Sequence, residues 1–231
     1  MKIVQGEDVP LKRGLEHRGG IFHSRCLAEG EPGMVDNFQL TWGEMGGDFY
    51  SPRHRHNFEQ IRVQIQGVLD YSKDGKLTPG MVGYFPEGVS YGPQIPAPDE
   101  QSITLVFQCG GASGGGYMSR PESKAAVDAL SQVGEFKDGV FRRNEGKEGK
   151  RNMDGFQALW EHVNQRPLEF PKPRYNHPVF MDPENYQWRP VDGAPGVEEK
   201  LLGIFTECRT QAGILKLDPG AKFQAAGRSI Y

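Results

Sequence analysis

Two histidines one residue apart, His54 and His56, are the part of this sequence best suited to chemistry. On an extended chain such a pair projects to one side, where two imidazoles can hold a single metal ion or divide a proton transfer between them. The residues that follow set the frame. Ile61, Val63 and Ile65 alternate with Arg62, Gln64 and Gln66, a period of two that predicts a strand over 60–70. Traced backward, the even-numbered face carries His54, His56, Phe58, Gln60, Arg62, Gln64 and Gln66, with Asn57 as the place where a turn would break the phase. A polar even face and an aliphatic odd face suit a ligand-holding barrel. The polar side lines the lumen and the aliphatic side packs on a second layer. Arg53 and Arg55 flank the histidines and leave open the plainer reading of a basic patch.

The elements around this strand are short. β-branched and aromatic runs at 21–26, 37–42, 81–85 and 103–107 read as further strands. Glu29-Gly30-Glu31-Pro32-Gly33, Lys73-Asp74-Gly75-Lys76 and Thr78-Pro79-Gly80 read as turns. With 31 glycines and 17 prolines punctuating these runs, the pattern favours an all-β barrel or sandwich over a helical or dinucleotide-binding fold. The glycine-rich 110–116 lacks the lysine and hydroxyl residue of a phosphate loop and reads as a linker. Two helices follow. Ser119 to Glu122 forms a capping box ahead of Ala125, Val127 and Leu130, and Phe156, Leu159, Trp160 and Val163 fall at helical spacing over 154–164. Their apolar stripes are expected to pack on the outside of the barrel. Beyond the proline-rich 170–178, strand-like runs at 201–205 and 213–217 close the chain.

Composition narrows the function classes. The 27 basic and 30 acidic residues give a formal charge of -3, which excludes a chain-wide footprint for nucleic acid. Arg142, Arg143, Lys147, Lys150 and Arg151 are interleaved with Glu145 and Glu148 and read as a solvated loop. Cys26, Cys109 and Cys208 have neither the count nor the spacing of a disulfide framework or a zinc site, and are expected as small buried hydrophobes. No apolar run is long enough to span a bilayer, and the N-terminus is too polar for a signal peptide. A soluble, cytoplasmic protein without membrane partners is the expectation.

The segment from about Val35 to Phe107 resembles a cupin. His54-Arg-His56-Asn-Phe-Glu-Gln60-Ile-Arg-Val-Gln-Ile-Gln-Gly67 is similar to the first cupin motif, G-x5-H-x-H-x3,4-E-x6-G, with Gln60 at the glutamate position and the opening glycine displaced to Gly47. Gly80, Pro86 and Gly88 match the second motif, G-x5-P-x-G-x2-H-x3-N. Tyr91 stands at its histidine, Ile95 at its asparagine and Gln94 one place earlier. The resemblance implies a mainly β, jelly-roll (double-stranded β-helix) barrel over 1–112, followed by a helical linker over 113–175. The tail over 176–231 resembles the start of a second cupin, with Gln224 and Ala226 near its histidine positions.

An intact site of this family would hold a metal on three histidines and a glutamate. The resemblance therefore implies a divalent or ferric ion (iron, manganese, nickel, copper or zinc) on His54, His56, Gln60 and Tyr91, the last as phenolate or as proton donor. Arg62, Gln64 and Gln94 would contact substrate, Arg62 by a bidentate pair with a carboxylate or, instead, an internal ion pair with Glu59 or Glu87. A metal-dependent oxygenase or lyase/isomerase acting on a small organic acid or phenolic compound is the leading expectation, with His54 and Tyr91 as the catalytic pair. The alternatives are a metal-free epimerase-like enzyme using a histidine base and Tyr91 as acid, and a non-catalytic small-ligand barrel. A homodimer is expected by the same resemblance.

Overall fold

The computed structural model describes residues 3–14, 17–34, 36–111, 117–205 and 210–225. Val35, residues 112–116 of the glycine run, Cys208 and Ala226 lie outside them. The chain divides into two units, Met1–Phe180 and Met181–Tyr231.

In chain order the strands of the first unit are β1 (Lys12–Arg13), β2 (Phe22–Glu29), β3 (Phe38–Met45), β4 (Phe58–Gln66), β5 (Leu69–Asp70), β6 (Lys76–Leu77), β7 (Val82–Phe85), β8 (Ile95–Pro96) and β9 (Ser102–Gly110). Helix α1 (Arg120–Leu130), strands β10 (Gly134–Lys137), β11 (Val140–Arg143) and β12 (Asn152–Asp154), helix α2 (Gly155–Asn164) and strand β13 (Val179–Met181) follow. One sheet runs β1-β2-β3-β9-β4-β7-β13, and a smaller one runs β6-β5-β8. Two isolated antiparallel bridges, Ser51↔Gln94 and His54↔Tyr91, extend the smaller layer, so the unit is a mainly β jelly roll. The core between the layers is Phe22, Met45, Phe49, Leu69, Tyr71, Leu77, Phe85 and Tyr91.

β4 keeps the alternation of its sequence. Phe58, Gln60, Arg62 and Gln64 are buried, whereas Ile61 and Val63 are half-buried and Ile65 is exposed. The phase carries through Asn57, because the His56 ring stacks on Phe58 at 4.4 Å and 15°. It ends at a bulge between Gln64 and Gln66, where Gln66 turns to solvent. Antiparallel partners project to one side of a sheet, so the register gives the interior wall in rows. Gln60 lies beside Gln108 and Gln39, Arg62 beside Val106, Thr41 and Cys26, and Gln64 beside Thr104, Gly43 and Ser24.

The two helices form where their signals place them. Ser119 and Glu122 make both halves of the capping box at α1, and the Asp154 side chain accepts from the Gln157 N–H at α2. Their packing differs from the expectation. One face of α2 joins α1 and Phe141 of β11 in a separate core, with Leu159 at its centre. The other brings Phe156 and Trp160 against Phe58, a lumen-facing residue, so α2 covers the mouth of the barrel and not its outer wall. The Asp154 cap starts α2 two residues before Phe156, whose ring packs on His56 and Phe58. Cys26 and Cys109 are only half-buried, contrary to the expectation for the cysteines, and the Cys26 thiol has polar neighbours in Gln39 and Glu29.

The second unit is an antiparallel sheet of β14 (Arg189–Pro190), β15 (Val197–Phe205) and β16 (Thr210–Leu217). Its buried Lys200 donates to the Pro183 carbonyl at 2.8 Å, and its ammonium lies 5.1 Å from the Trp188 ring centroid. A cavity of about 320 Å³ at the 190–197 turn and Asp218 contains none of the residues expected to do chemistry. Among the described residues no helix is long and apolar enough to cross a membrane.

Gly20 closes the approach to the barrel mouth. It has φ +74°, and a Cβ there would lie 2.1 Å from the Asp48 carbonyl oxygen. Gly20→Ala should lower the unfolding free energy by about 2 kcal/mol or more, read from urea denaturation. A change below about 0.5 kcal/mol would contradict this close approach.

Candidate functional site: a histidine pair and a buried arginine

His54 and Tyr91 exchange both backbone hydrogen bonds, 3.1 and 2.9 Å, which brings the two cupin-like motifs together. The loop carrying Tyr91 is held from outside. Arg53 donates to Asp74 Oδ2 at 2.6 Å, to the Gly92 carbonyl at 2.9 Å and to the Ser90 carbonyl at 2.5 Å, while the Gly92 N–H donates to Asp74 at 3.0 Å. Burial pushes the Asp74 carboxyl up, but Arg53 and the Gly92 N–H outweigh it and hold the group below its ordinary range. Arg55 turns outward over the Phe170 ring at 4.0 Å. The flanking arginines are thus braces of the site, not a basic patch.

Both imidazoles are buried and their ring centroids lie 4.7 Å apart. Burial holds both far below the ordinary histidine value, with the charge of Arg18 adding to the effect at His54 and the neighbouring His54 and Arg18 adding to it at His56. They are therefore neutral at pH 7. Their Nδ1 atoms have different partners. His54 Nδ1 lies 2.6 Å from the Pro52 carbonyl, which can only accept, so this nitrogen carries the proton and Nε2 keeps its lone pair. His56 Nδ1 lies 3.0 Å from the Tyr91 hydroxyl.

Arg62 decides where the Tyr91 proton goes. Its Nε and Nη2 donate to Gln60 Oε1 at 3.0 and 2.5 Å, filling both lone pairs of that oxygen. Nη2 also donates to the Tyr91 hydroxyl oxygen at 3.0 Å. Although Gln60 Oε1 is also 3.2 Å from Tyr91, the phenolic proton is left to His56 Nδ1, and His56 then carries its own proton on Nε2. The Nη1 of Arg62 donates to the Tyr71 hydroxyl at 2.7 Å and to Gln94 Oε1 at 2.6 Å. All five N–H groups are thereby used.

Several expected roles change on these contacts. Arg62 has no carboxylate within ion-pair distance among the described residues, because Glu59 lies on the odd face beside Tyr84. Gln94 is engaged by Arg62. Gln64 is engaged on every side, accepting from Thr104 at 2.7 Å and donating to Ser102 and to the Gln66 and Gly67 carbonyls. Arg62, Gln64 and Gln94 therefore build the sealed end of the barrel, where no N–H of Arg62 remains for a substrate. Along the same rows Cys26, Val106 and Gln108 are half-buried, whereas Gln39, Thr41, Gln60, Arg62 and Gln64 are buried.

The four residues at the metal positions do not fit a divalent or ferric ion. Among the described residues no three histidine, cysteine or carboxylate side chains gather as a metal set. Burial pushes the Tyr91 phenol up to about 12, so it is no phenolate at neutral pH. Gln60 brings no charge, and its oxygen is filled by a guanidinium. A divalent ion about 4 Å from that guanidinium would be repelled by about 8 kcal/mol at an effective dielectric of about 20.

The sequence offered no sign of Arg18, buried at the mouth, whose Nη1 donates to Asp154 Oδ2 at 3.1 Å. Gly19 and Tyr50 exchange backbone bonds that bring this segment in. Neighbouring His17 is also buried and depressed, first by burial and then by Arg18. Phe156 meets His56 edge-on at 4.8 Å. Asp154 and Phe156 were legible beforehand only as members of the helix over 154–164.

Because His17, His54 and His56 have native values below the ordinary 6.5, the unfolded chain binds more protons in acid than the native one. Their contribution to stability is complete above pH 6.5 and is lost as pH falls below it. The melting temperature should therefore fall between pH 7 and pH 5, and His54→Gln or His56→Gln should flatten that fall. A melting temperature that rises over this interval would contradict the assignment.

No protein-family model and no curated protein sequence matches the chain. Solved structures do. A candidate dioxygenase from Nostoc punctiforme PCC 73102 superposes with a TM-score of 0.52 at 13% identity, over 86% of this chain and 54% of that one. The polyketide cyclase RemF from Streptomyces resistomycificus aligns at 24% identity over 47% of this chain and 78% of that one, with a TM-score of 0.41. An RmlC-like cupin protein from Ralstonia eutropha JMP134 aligns at 12% identity over 73% and 92%, with a TM-score of 0.36. The chain thus spans about half the length of the Nostoc protein. At this identity the likeness to the Nostoc protein is one of fold alone, and the fold of this chain is a cupin-like jelly roll.

Proposed function

We propose that the barrel is a metal-independent acid/base enzyme that moves a proton on a small, oxygen-rich organic compound, in the class of isomerases, epimerases and lyases. One observation carries this reading. The two Nδ1 atoms face different partners, the Pro52 carbonyl on one and the Tyr91 hydroxyl on the other, which assigns the neutral imidazoles opposite tautomers. His54 presents a bare Nε2 able to take a proton from carbon or oxygen. His56 presents an Nε2–H able to give one, and Tyr91 can refill it at Nδ1 as that proton leaves. Base and acid stand side by side, both kept uncharged by burial.

The bound compound would enter along the half-buried Cys26–Val106–Gln108 side of the wall. The orphaned, buried Thr41 hydroxyl lies on that wall, and the Tyr117 hydroxyl lies within hydrogen-bond distance of Gln39 and Gln108 there. Charge developing on an oxygen during proton abstraction would lie in the field of Arg62 and Arg18, which favours an enolate-like or alkoxide-like intermediate. The structure supports this ahead of the metal-dependent alternative because the guanidinium engages two of the four metal positions.

Long-range nitrogen–proton NMR on the labelled protein at pH 7.5 should show His54 protonated on Nδ1 and His56 on Nε2, with Tyr91→Phe releasing only His56. The same tautomer at both, or an imidazolium at either, would sink the reading. In D₂O, small keto acids and reducing sugars turned over by the barrel should gain deuterium next to their carbonyl, and His54→Gln should slow that exchange by about 100-fold or more.

A further inference from the structure

We propose that Arg62 is a resident cation standing in for a metal ion, holding Gln60 and Tyr91 as a metal would and excluding divalent ions from the His54–His56 pair. This deepens the metal-independent reading and rests on it for the roles of the two histidines. The placement comes from β4 itself. Arg62 lies two residues beyond Gln60 on the same lumen-facing side, 7% exposed, and reaches back so that two of its nitrogens share the Gln60 oxygen.

A buried guanidinium ordinarily needs a carboxylate beside it, since desolvating a lone charge is costly. Here its solvation is rebuilt from neutral groups. Gln60, Gln94, Tyr71 and Tyr91 accept all five of its N–H bonds, and its carbon lies 4.4 Å from the Phe85 ring centroid, 5.4 Å from Tyr91 and 5.7 Å from Tyr71. This arrangement satisfies hydrogen bonding without cancelling the charge. The lumen therefore keeps a full positive charge fixed by the fold, at the two side chains a metal would ligate. A carboxylate at position 60 would change the balance, since with both histidines it would make a two-histidine, one-carboxylate set of the kind that binds Fe²⁺ or Co²⁺.

The experiment is Co²⁺ uptake by untagged protein, measured by equilibrium dialysis and by the visible ligand-field absorption of the bound ion. Four proteins are compared: the natural chain, Gln60→Glu, Arg62→Met, and the Gln60→Glu/Arg62→Met double variant, each checked for folding by circular dichroism. The double variant should bind about one Co²⁺ per chain, at least about 100-fold more tightly than either the natural chain or Gln60→Glu alone. Adding His54→Ala should abolish that uptake. Gln60→Glu binding as tightly as the double variant, or a folded double variant binding none, would overturn the role given to Arg62 and leave the acid/base reading standing. Co²⁺ held by His54 and His56 in the natural chain would overturn both, and needs no variant to fold. Identical tautomers in the NMR measurement, with Co²⁺ still excluded, would remove the acid/base reading alone.

Discussion

A guanidinium buried without a counter-charge constrains everything around it. Arg62 stands on β4 with its charge uncancelled, so the groups facing it must be acceptors or aromatic faces. That requirement accounts for Gln60, Gln94 and the hydroxyls of Tyr71 and Tyr91, which come from β4, from the bridge at the barrel rim and from the turn after β5. It also sets protonation at a distance. With both lone pairs of Gln60 filled by arginine, the Tyr91 proton is directed to His56, and the tautomer of a histidine six residues from Arg62 follows from that arrangement.

A second constraint is burial at the mouth. His54 and His56 stay neutral because α2 and the segment leading to Gly19 take the place of water there, through Phe156 and through Arg18 paired with Asp154. The same covering that suppresses protonation also narrows access to the lumen. Barrel, helices and N-terminal strands thus act on one small region. The jelly roll supplies the geometry and the surrounding segments supply the dielectric.

The substitutions at the metal positions take their meaning from this environment. Glutamine for glutamate removes a negative ligand, and tyrosine for histidine replaces a soft nitrogen with a high-pKa phenol. Either change alone would leave a weakened metal site. Together, and with arginine two residues along the same face, they exchange a metal centre for a hydrogen-bonded cation. The cupin fold tolerates this because the barrel wall positions these side chains whatever their chemistry.

The features legible from the residues alone are local. The period of two from Ile61 to Gln64 set the polar lumen face of β4, the spacing of His54 and His56 paired them, the two motifs identified the barrel, and Ser119 with Glu122 started α1. Each follows from interactions within a few residues, where backbone geometry fixes direction. The tertiary structure alone decided which groups those side chains meet. Arg62 could have faced a substrate carboxylate or an internal acid, and found four neutral acceptors, three of them from beyond its own strand. The helices could have lain on the outer wall, and α2 instead covers the mouth, where it meets Arg18 from far up the chain. Protonation state, metal fit and access depend on such long-range contacts, because burial and charge act through space and not along the sequence.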